Sequence, residues 1–337
     1  MAPTIYDIAE YADVSTATVS RVFNDSSSVS EDTRADVLKA AQSLGYKPHA
    51  SAQSLAGQRT HLIAAVVPIL ANHFYLGVMR GMQEALSTSD FDLLVYTPSH
   101  PTEVEEQIKR ASQRGRSDGL LMLSAPITDD MAAHLSRTPQ EVVLVDTDHP
   151  DFESITIDNQ RAGVKATRHL LDLGYERIAH ITADTPEPPP ATQRRRGYEQ
   201  ALADANAAQS PIVARGDKEP FAFEKEGGYR AMTELLRRSP RPDAVFAASD
   251  MQALGALRAI DEAGLSVPGD IAVLGFDDVS ISQYVGLSTL RQPLHDFGKL
   301  AIEKVTARLD DPDRTISSTV FNPELVVRDT CGGGSGS

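Results

Sequence analysis

Thr16, Ala17 and Arg21 form the first group of residues whose spacing suggests chemistry. Ala17, Thr18 and Arg21 fall about one helical turn apart in the run from Ser15 to Asn24. An arginine so placed can offer parallel N–H groups to a guanine edge, a contact that discriminates against other bases by about 1–3 kcal/mol. Thr16 and Ala17 are short, so they select through methyl contacts and through what they exclude. A second group is ionic. Asp146 follows the apolar run Val142–Val145, Asp277 follows Ile271–Leu274 and Gly275-Phe276, and the run Arg194-Arg195-Arg196 stands just before Gly197-Tyr198. Carboxylates accept hydrogen bonds from a ligand's hydroxyls, and a planar guanidinium donates in a fixed fork. A third group is aromatic: Phe74, Tyr75, Phe223 and Phe276, whose flat rings can stack on a sugar face or a purine. Each has a plainer reading: an aspartate capping the next helix, arginines on a solvated face, rings filling a core.

These groups need elements to position them. Residues 4–24 read as two short helices joined by a tight turn. Thr4 caps the first, whose buried face is Ile5, Ile8 and Ala9; Asp13 takes the left-handed turn; Ser15 caps the second. That is a helix-turn-helix whose second helix enters a major groove. Ser30 with Thr33 opens a third helix and Gly45 closes it, and it carries Val37, Leu38, Ala41 and Leu44. From Pro48 to Gly57 a further helix is spelled out, too short to hold by itself.

From residue 61 the periodicity changes. Leu62–Val67, Leu93–Tyr96, Leu120–Leu123 and Val142–Val145 read as strands, separated by helices starting near Phe74, Glu103 and Asp129. A second series begins at Ile155 and continues with Ile178–Ile181, Ile212–Val213, Ala244–Ala247 and Ile271–Leu274, with helices near 160–173, 192–205, 224–237 and 250–262. A return helix at 293–309 and short strands near 316–328 complete the pattern. Such alternation predicts an α/β fold with parallel sheets covered on both faces. Ligands then bind beyond the carboxyl ends of the strands, between two lobes.

The chain resembles the lactose-repressor (LacI/GalR) family of transcription regulators over almost its whole length, to about residue 330. The motifs that carry this are Thr4-Ile5-Tyr6-Asp7-Ile8-Ala9, Val14-Ser15, Thr18-Val19-Ser20-Arg21-Val22, Val29-Ser30-Glu31, Thr33-Arg34, and Leu44-Gly45-Tyr46 with Pro48. The resemblance implies a helix-turn-helix head at 1–47 and a hinge helix and linker at 48–60. It implies a periplasmic-binding-protein-like core whose first lobe takes 61–158 and 292–318 and whose second takes 159–291 and 319–330. It further implies that Thr4, Tyr6, Ser15, Thr16, Ala17, Thr18, Ser20, Arg21 and Asn24 meet double-stranded operator DNA. Ala52, Gln53 and Leu55 would enter a minor groove, Leu55 as a wedge between base steps; His49 departs from the family's usual asparagine. Asp146, Arg194 and Asp277 match positions that bind sugar hydroxyls in many members. Phe74, Tyr75, Phe223, Ser249, Asp250, Phe276 and Gln292 are the other effector candidates.

The expected function follows: a homodimeric regulator on a pseudo-palindromic operator, controlled by a mono- or disaccharide in the cleft. A purine corepressor is the alternative effector, and a sugar receptor without DNA function is a remote one. Dinucleotide-binding, P-loop, His-Glu-x-x-His and Gly-x-Ser-x-Gly patterns are missing from the sequence, which argues against an enzyme and against a cofactor or metal. The single cysteine, Cys331, excludes an internal disulfide framework, and residues 331–337 read as a flexible tail. No apolar run is long enough to span a bilayer and no export signal opens the chain, so a cytoplasmic protein is expected.

Charge runs against this picture. The 337 residues hold 32 Lys and Arg against 47 Asp and Glu, a net −15. Residues 1–60 hold five basic side chains against seven acidic ones, where DNA binders normally show a basic footprint. Either the helix-turn-helix does not bind DNA, or a salty cytoplasm reconciles the two, because salt screens charge within a few ångströms while acidic surfaces aid solubility.

Overall fold

A computed structural model describes residues 3–23, 28–46, 59–70, 72–98, 100, 103–183, 188–207, 210–216 and 223–332. The head is three helices: α1 (Ile5–Tyr11), α2 (Thr16–Phe23) and α3 (Glu31–Leu44). Asp7 reaches back to the Thr4 backbone N–H at 2.6 Å and to its hydroxyl at 2.7 Å, closing the start of α1. Asp13 turns the chain at φ 49°, and Ser15 Oγ accepts the Thr18 N–H at 3.1 Å. Ser30 caps α3 through the Thr33 N–H, and Gly45 ends it at φ 65°. Ile8, Ala9, Val19, Val22, Val37, Ala40 and Ala41 make the small core; Ile5, read as buried, sits half-buried at its rim.

The first lobe is built from β1 (Leu62–Val66), α4 (His73–Leu86), β2 (Asp92–Tyr96), α5 (Val104–Ala111), β3 (Gly119–Leu123), α6 (Asp129–Leu135), β4 (Glu141–Val145) and β5 (Glu153–Ile157). The chain then crosses to α7 (Asn159–Asp172), β6 (Ile178–Thr182), α8 (Pro189–Asp204), β7 (Ile212–Arg215), α9 (Lys225–Leu236), β8 (Ala244–Ala247), α10 (Asp250–Glu262), β9 (Ala272–Asp277) and β10 (Ser288–Arg291). It returns through α11 (Leu294–Asp310) and β11 (Ser318–Phe321), and crosses once more to β12 (Glu324–Val326). The sheet orders are β11-β5-β4-β3-β1-β2 and β12-β10-β9-β8-β6-β7. Pairing is parallel throughout except that β12 runs antiparallel to β10.

Several boundaries differ from the sequence reading. The last crossing, expected between 318 and 319, lies beyond Phe321, because β11 pairs in full with β5 from Ser318↔Ser154 to Phe321↔Ile157. Helix α8 starts at Pro189 rather than near 192, since proline in a first turn forfeits no helical hydrogen bond. Strand β10 went unread: its sequence, Ser-Thr-Leu-Arg, is too polar to announce a strand, and its place between β9 and β12 supplies the pairing. Cys331, assigned to the tail, is buried beneath the second lobe, its sulfur 3.4 Å from His169 Nε2.

Three helix pairs clasp through reciprocal glycines. A Cβ on Gly81 would lie 1.8 Å from the His295 carbonyl oxygen, and one on Gly298 would lie 1.8 Å from that of Val78. Gly163 and Gly197 do the same for α7 and α8, and Gly228 and Gly255 for α9 and α10. Backbone thus touches backbone, leaving no room for a side chain between the paired helices.

Candidate functional site

On the head, α2 turns Val19 and Val22 inward and leaves Ala17 and Arg21 exposed. Thr16, Thr18 and Ser20 are half-covered, Ser15 and Thr4 are exposed, and Tyr6 is 73% exposed on the neighbouring helix. The hydroxyls of Ser15 and Thr18 lie 2.9 Å apart and are engaged in capping. A small apolar core therefore holds one outward face carrying hydroxyls, a phenol and a guanidinium. Asn24, Ala52, Gln53 and Leu55 lie outside the described residues.

The second site is a cleft beyond the carboxyl ends of the strands of both lobes. Among the expected effector residues, Phe74, Tyr75, Asp146, Arg194, Phe223, Ser249 and Asp277 line it together. Ser124, Asp146, Phe223 and Asp277 all have positive φ, at 48°, 59°, 42° and 117°. Such backbone is costly for residues other than glycine, most of all for a phenylalanine, and it clusters where a site must aim a side chain.

Arg194 reaches the cleft from the second turn of α8, where the Gly163–Gly197 contact brings Asn159 beside it. Its Nε donates to Asn159 Oδ1 at 2.8 Å, one Nη donates to the Ala248 carbonyl at 2.6 Å, and its guanidinium lies 3.7 Å over the Phe276 ring. Burial lowers its pKa, against Asp277, Asp146 and Asp250, whose charges raise it. Ser124 Oγ donates to Asp146 Oδ2 at 2.8 Å, while Asp146 Oδ1 is buried and has no hydrogen-bond partner. Burial raises the Asp146 pKa, opposed by Arg194 and by the Ser124 hydrogen bond. Asp277 Oδ1 accepts from Gln292 Nε2 at 2.6 Å. Burial pushes its pKa up to about 8, opposed by Arg194 and reinforced by Asp250.

Three expected effector residues stand behind the lining instead. Asp250 accepts from the Val279 N–H at 2.9 Å and from the Ser282 and Thr289 hydroxyls at 2.6 Å each, so its carboxylate ties the 279–282 segment to β10. Phe276 is the platform beneath Arg194, and Gln292 holds Asp277 from the crossover. The sequence reading also missed lining residues. Ser124 directly follows the run Leu120–Leu123, the same signal that exposed Asp146. Asn72, which caps α4 by accepting the Phe74 N–H at 2.8 Å, stands two residues before Phe74. Pro188, Pro190, Met251 and Val279 carry no local signal.

This arrangement suits ligand binding by acceptors, one donor fork and ring faces. Among the described residues no group of three His, Cys, Asp or Glu side chains is placed to hold a metal ion.

Comparison with known proteins bears on both sites. The family model described as bacterial regulatory proteins, lacI family, matches residues 4–49, and that of the periplasmic binding protein-like domain matches residues 167–331. The HTH-type transcriptional regulator GalR of Escherichia coli (strain K12) is 35% identical over 331 residues, covering 96% of this chain and 94% of that protein. The structure of the lac repressor dimer bound to operator and the anti-inducer ONPF superposes with a TM-score of 0.81 at 27% identity, covering 98% of this chain and 99% of that one. The complex of the transcriptional regulator CelR with cellobiose gives a TM-score of 0.70 at 30% identity, covering 97% and 99%.

Proposed function

The chain belongs to the lacI family of bacterial regulatory proteins, which bind DNA and regulate transcription, and from that premise we propose that it is a dimeric repressor released from its operator by a sugar. The observation that carries this reading is the union, in one chain, of an outward-facing α2 with a two-lobed cleft holding Asp146, Arg194 and Asp277. Arg21 takes the guanine contact, Ala17 and Thr16 shape the neighbouring readout, and Tyr6 and Thr4 reach the backbone. Two heads on a two-fold axis read a pseudo-palindrome. Leu55, with Ala52 and Gln53, serves as the minor-groove wedge.

In the cleft, the two aspartates accept from sugar hydroxyls, Arg194 donates, and Phe74, Tyr75 and Phe223 cover the ring faces. Closure of the lobes around the ligand shifts a two-state equilibrium that the linker passes to the heads. The cellobiose complex of the relative CelR supports a saccharide. Exposed apolar side chains on both lobes, Leu76 at 43% and Tyr284 at 79%, support pairing of two chains. A regulator of this kind works in the cytoplasm.

The test is capture of fragmented genomic DNA by the full chain, followed by sequencing. A recurring palindrome, lost with Arg21→Ala while the thermal melt is unchanged, is the expected result. Equal recovery of random fragments by both proteins would remove the DNA-readout assignment.

A further inference from the structure

We propose that the cleft is built to exclude anions, so that the effector is an uncharged polyol or glycoside and not a sugar phosphate or sugar acid; this rests on the carbohydrate reading above. Three independent features point this way. The ionisable lining groups identified above are two carboxylates and one guanidinium. Its Nε and one Nη already donate to Asn159 and to the Ala248 carbonyl, the Phe276 ring underlies it, and Asp146 and Asp277 face its charge. No surplus positive charge is left for a phosphate, whose desolvation in a closed cleft would go uncompensated.

Helix N-termini are the usual alternative anion sites, because their N–H groups are unpaired. Here three of the helices opening on the cleft have part of that capacity already spent. Helix α8 begins Pro188-Pro189-Pro190, and proline has no N–H to give. Helix α10 spends a first-turn N–H on Ser249 Oγ at 3.1 Å and carries the Asp250 carboxylate at its first position. Helix α4 spends the Phe74 N–H on Asn72 Oδ1.

The third feature states what the cleft accepts. Asp146 Oδ1 is buried with no partner, and Ser124 fixes the same carboxylate through the other oxygen. A buried acceptor without a donor costs free energy until a ligand O–H or N–H reaches it. Asp146 is therefore the specificity-determining acceptor, and a neutral hydroxyl is its match.

Calorimetry on the full chain with matched pairs tests this: ribose against ribose 5-phosphate, glucose against glucose 6-phosphate, and glucose against gluconate. Binding of a neutral member at least a hundredfold tighter than its anionic counterpart is the expected result. In the Asp146→Asn/Asp277→Asn variant that ratio should shrink at least tenfold; if the double variant does not fold, Asp146→Asn supplies the same comparison. A phosphate or acid that binds as tightly as its neutral partner overturns the inference and leaves the carbohydrate reading standing. Silence of every pair overturns both.

Discussion

Arg21, His180 and Asp277 are the residues on which the account can be tested singly. Arg21→Ala should weaken specific DNA binding by about 1–3 kcal/mol, or about 5- to 150-fold, and leave ligand affinity unchanged; loss of both in one calorimetric series would instead indicate a folding defect. His180 is fully buried, stacked at 4.8 Å on Phe246 and 5.4 Å on Tyr198, with Nδ1 on the Phe246 carbonyl and Nε2 unpartnered. Burial depresses its pKa to about 3, so the unfolded chain binds a proton there that the folded one refuses. Its contribution is present above about pH 6.5 and is lost as pH falls toward 3. Asp277 has the opposite sign. With a folded pKa of about 8 against an ordinary 3.8, it holds a proton in the folded state, and stability drains away as pH rises from about 4 to 8. Urea midpoints at pH 4, 6 and 8 should show the acid-side loss reduced in His180→Phe and the alkaline-side loss reduced in Asp277→Asn. Parallel profiles for both variants and the parent would refute the assignments. The legible part of the site was its strand ends: Asp146 and Asp277 announce themselves after apolar runs, and Ser124 would have done so by the same rule. Asp250 misled because its partners, Ser282 and Thr289, come from distant sequence, and nothing local separates a carboxylate facing a cleft from one facing a loop.

Helix pairing decides how rigidly those residues are held. A Cβ at Gly197 would stand 2.1 Å from the Gln160 carbonyl oxygen, so Gly197→Ala must push α8 away from α7. Overpacking of this kind costs about 1–3 kcal/mol, and the shift also parts Arg194 Nε from Asn159 Oδ1. We expect a lower thermal midpoint together with weaker ligand binding. Gly298→Ala, which separates α11 from α4 on the other lobe, should lower the midpoint with less effect on the Arg194 fork. Equal losses of affinity would place the control elsewhere. The elements themselves were largely readable, because strands of branched apolar residues and helices of 3.6-residue period differ in spacing. Strand β10, the start of α8 and the burial of Cys331 were not. The first needs its neighbours to become a strand, the second hides behind prolines, and the third follows from a turn at 329–331 that packs against the second lobe.

The whole molecule carries a net charge of −15, and with it a DNA-reading head that is not basic. If this suits a salty cytoplasm, thermal stability should rise from 0.1 M to about 2 M KCl as repulsion is screened, with specific DNA binding retained. Stability that peaks at low salt, with binding that collapses at molar salt, would rule that adaptation out. Pairing of two chains makes its own demand: Tyr284→Asp should lower the sedimentation coefficient toward that of a monomer and cost operator affinity, since each half-site would then bind alone. Coupling between cleft and head remains the central claim, and fluorescence anisotropy on the captured operator measures it directly. Adding the neutral sugar selected by calorimetry should raise the Kd for operator by about 5- to 150-fold in the parent and leave it unchanged in Asp277→Ala. An operator affinity indifferent to a sugar that binds the parent tightly, or a response that survives intact in the variant, would contradict the account.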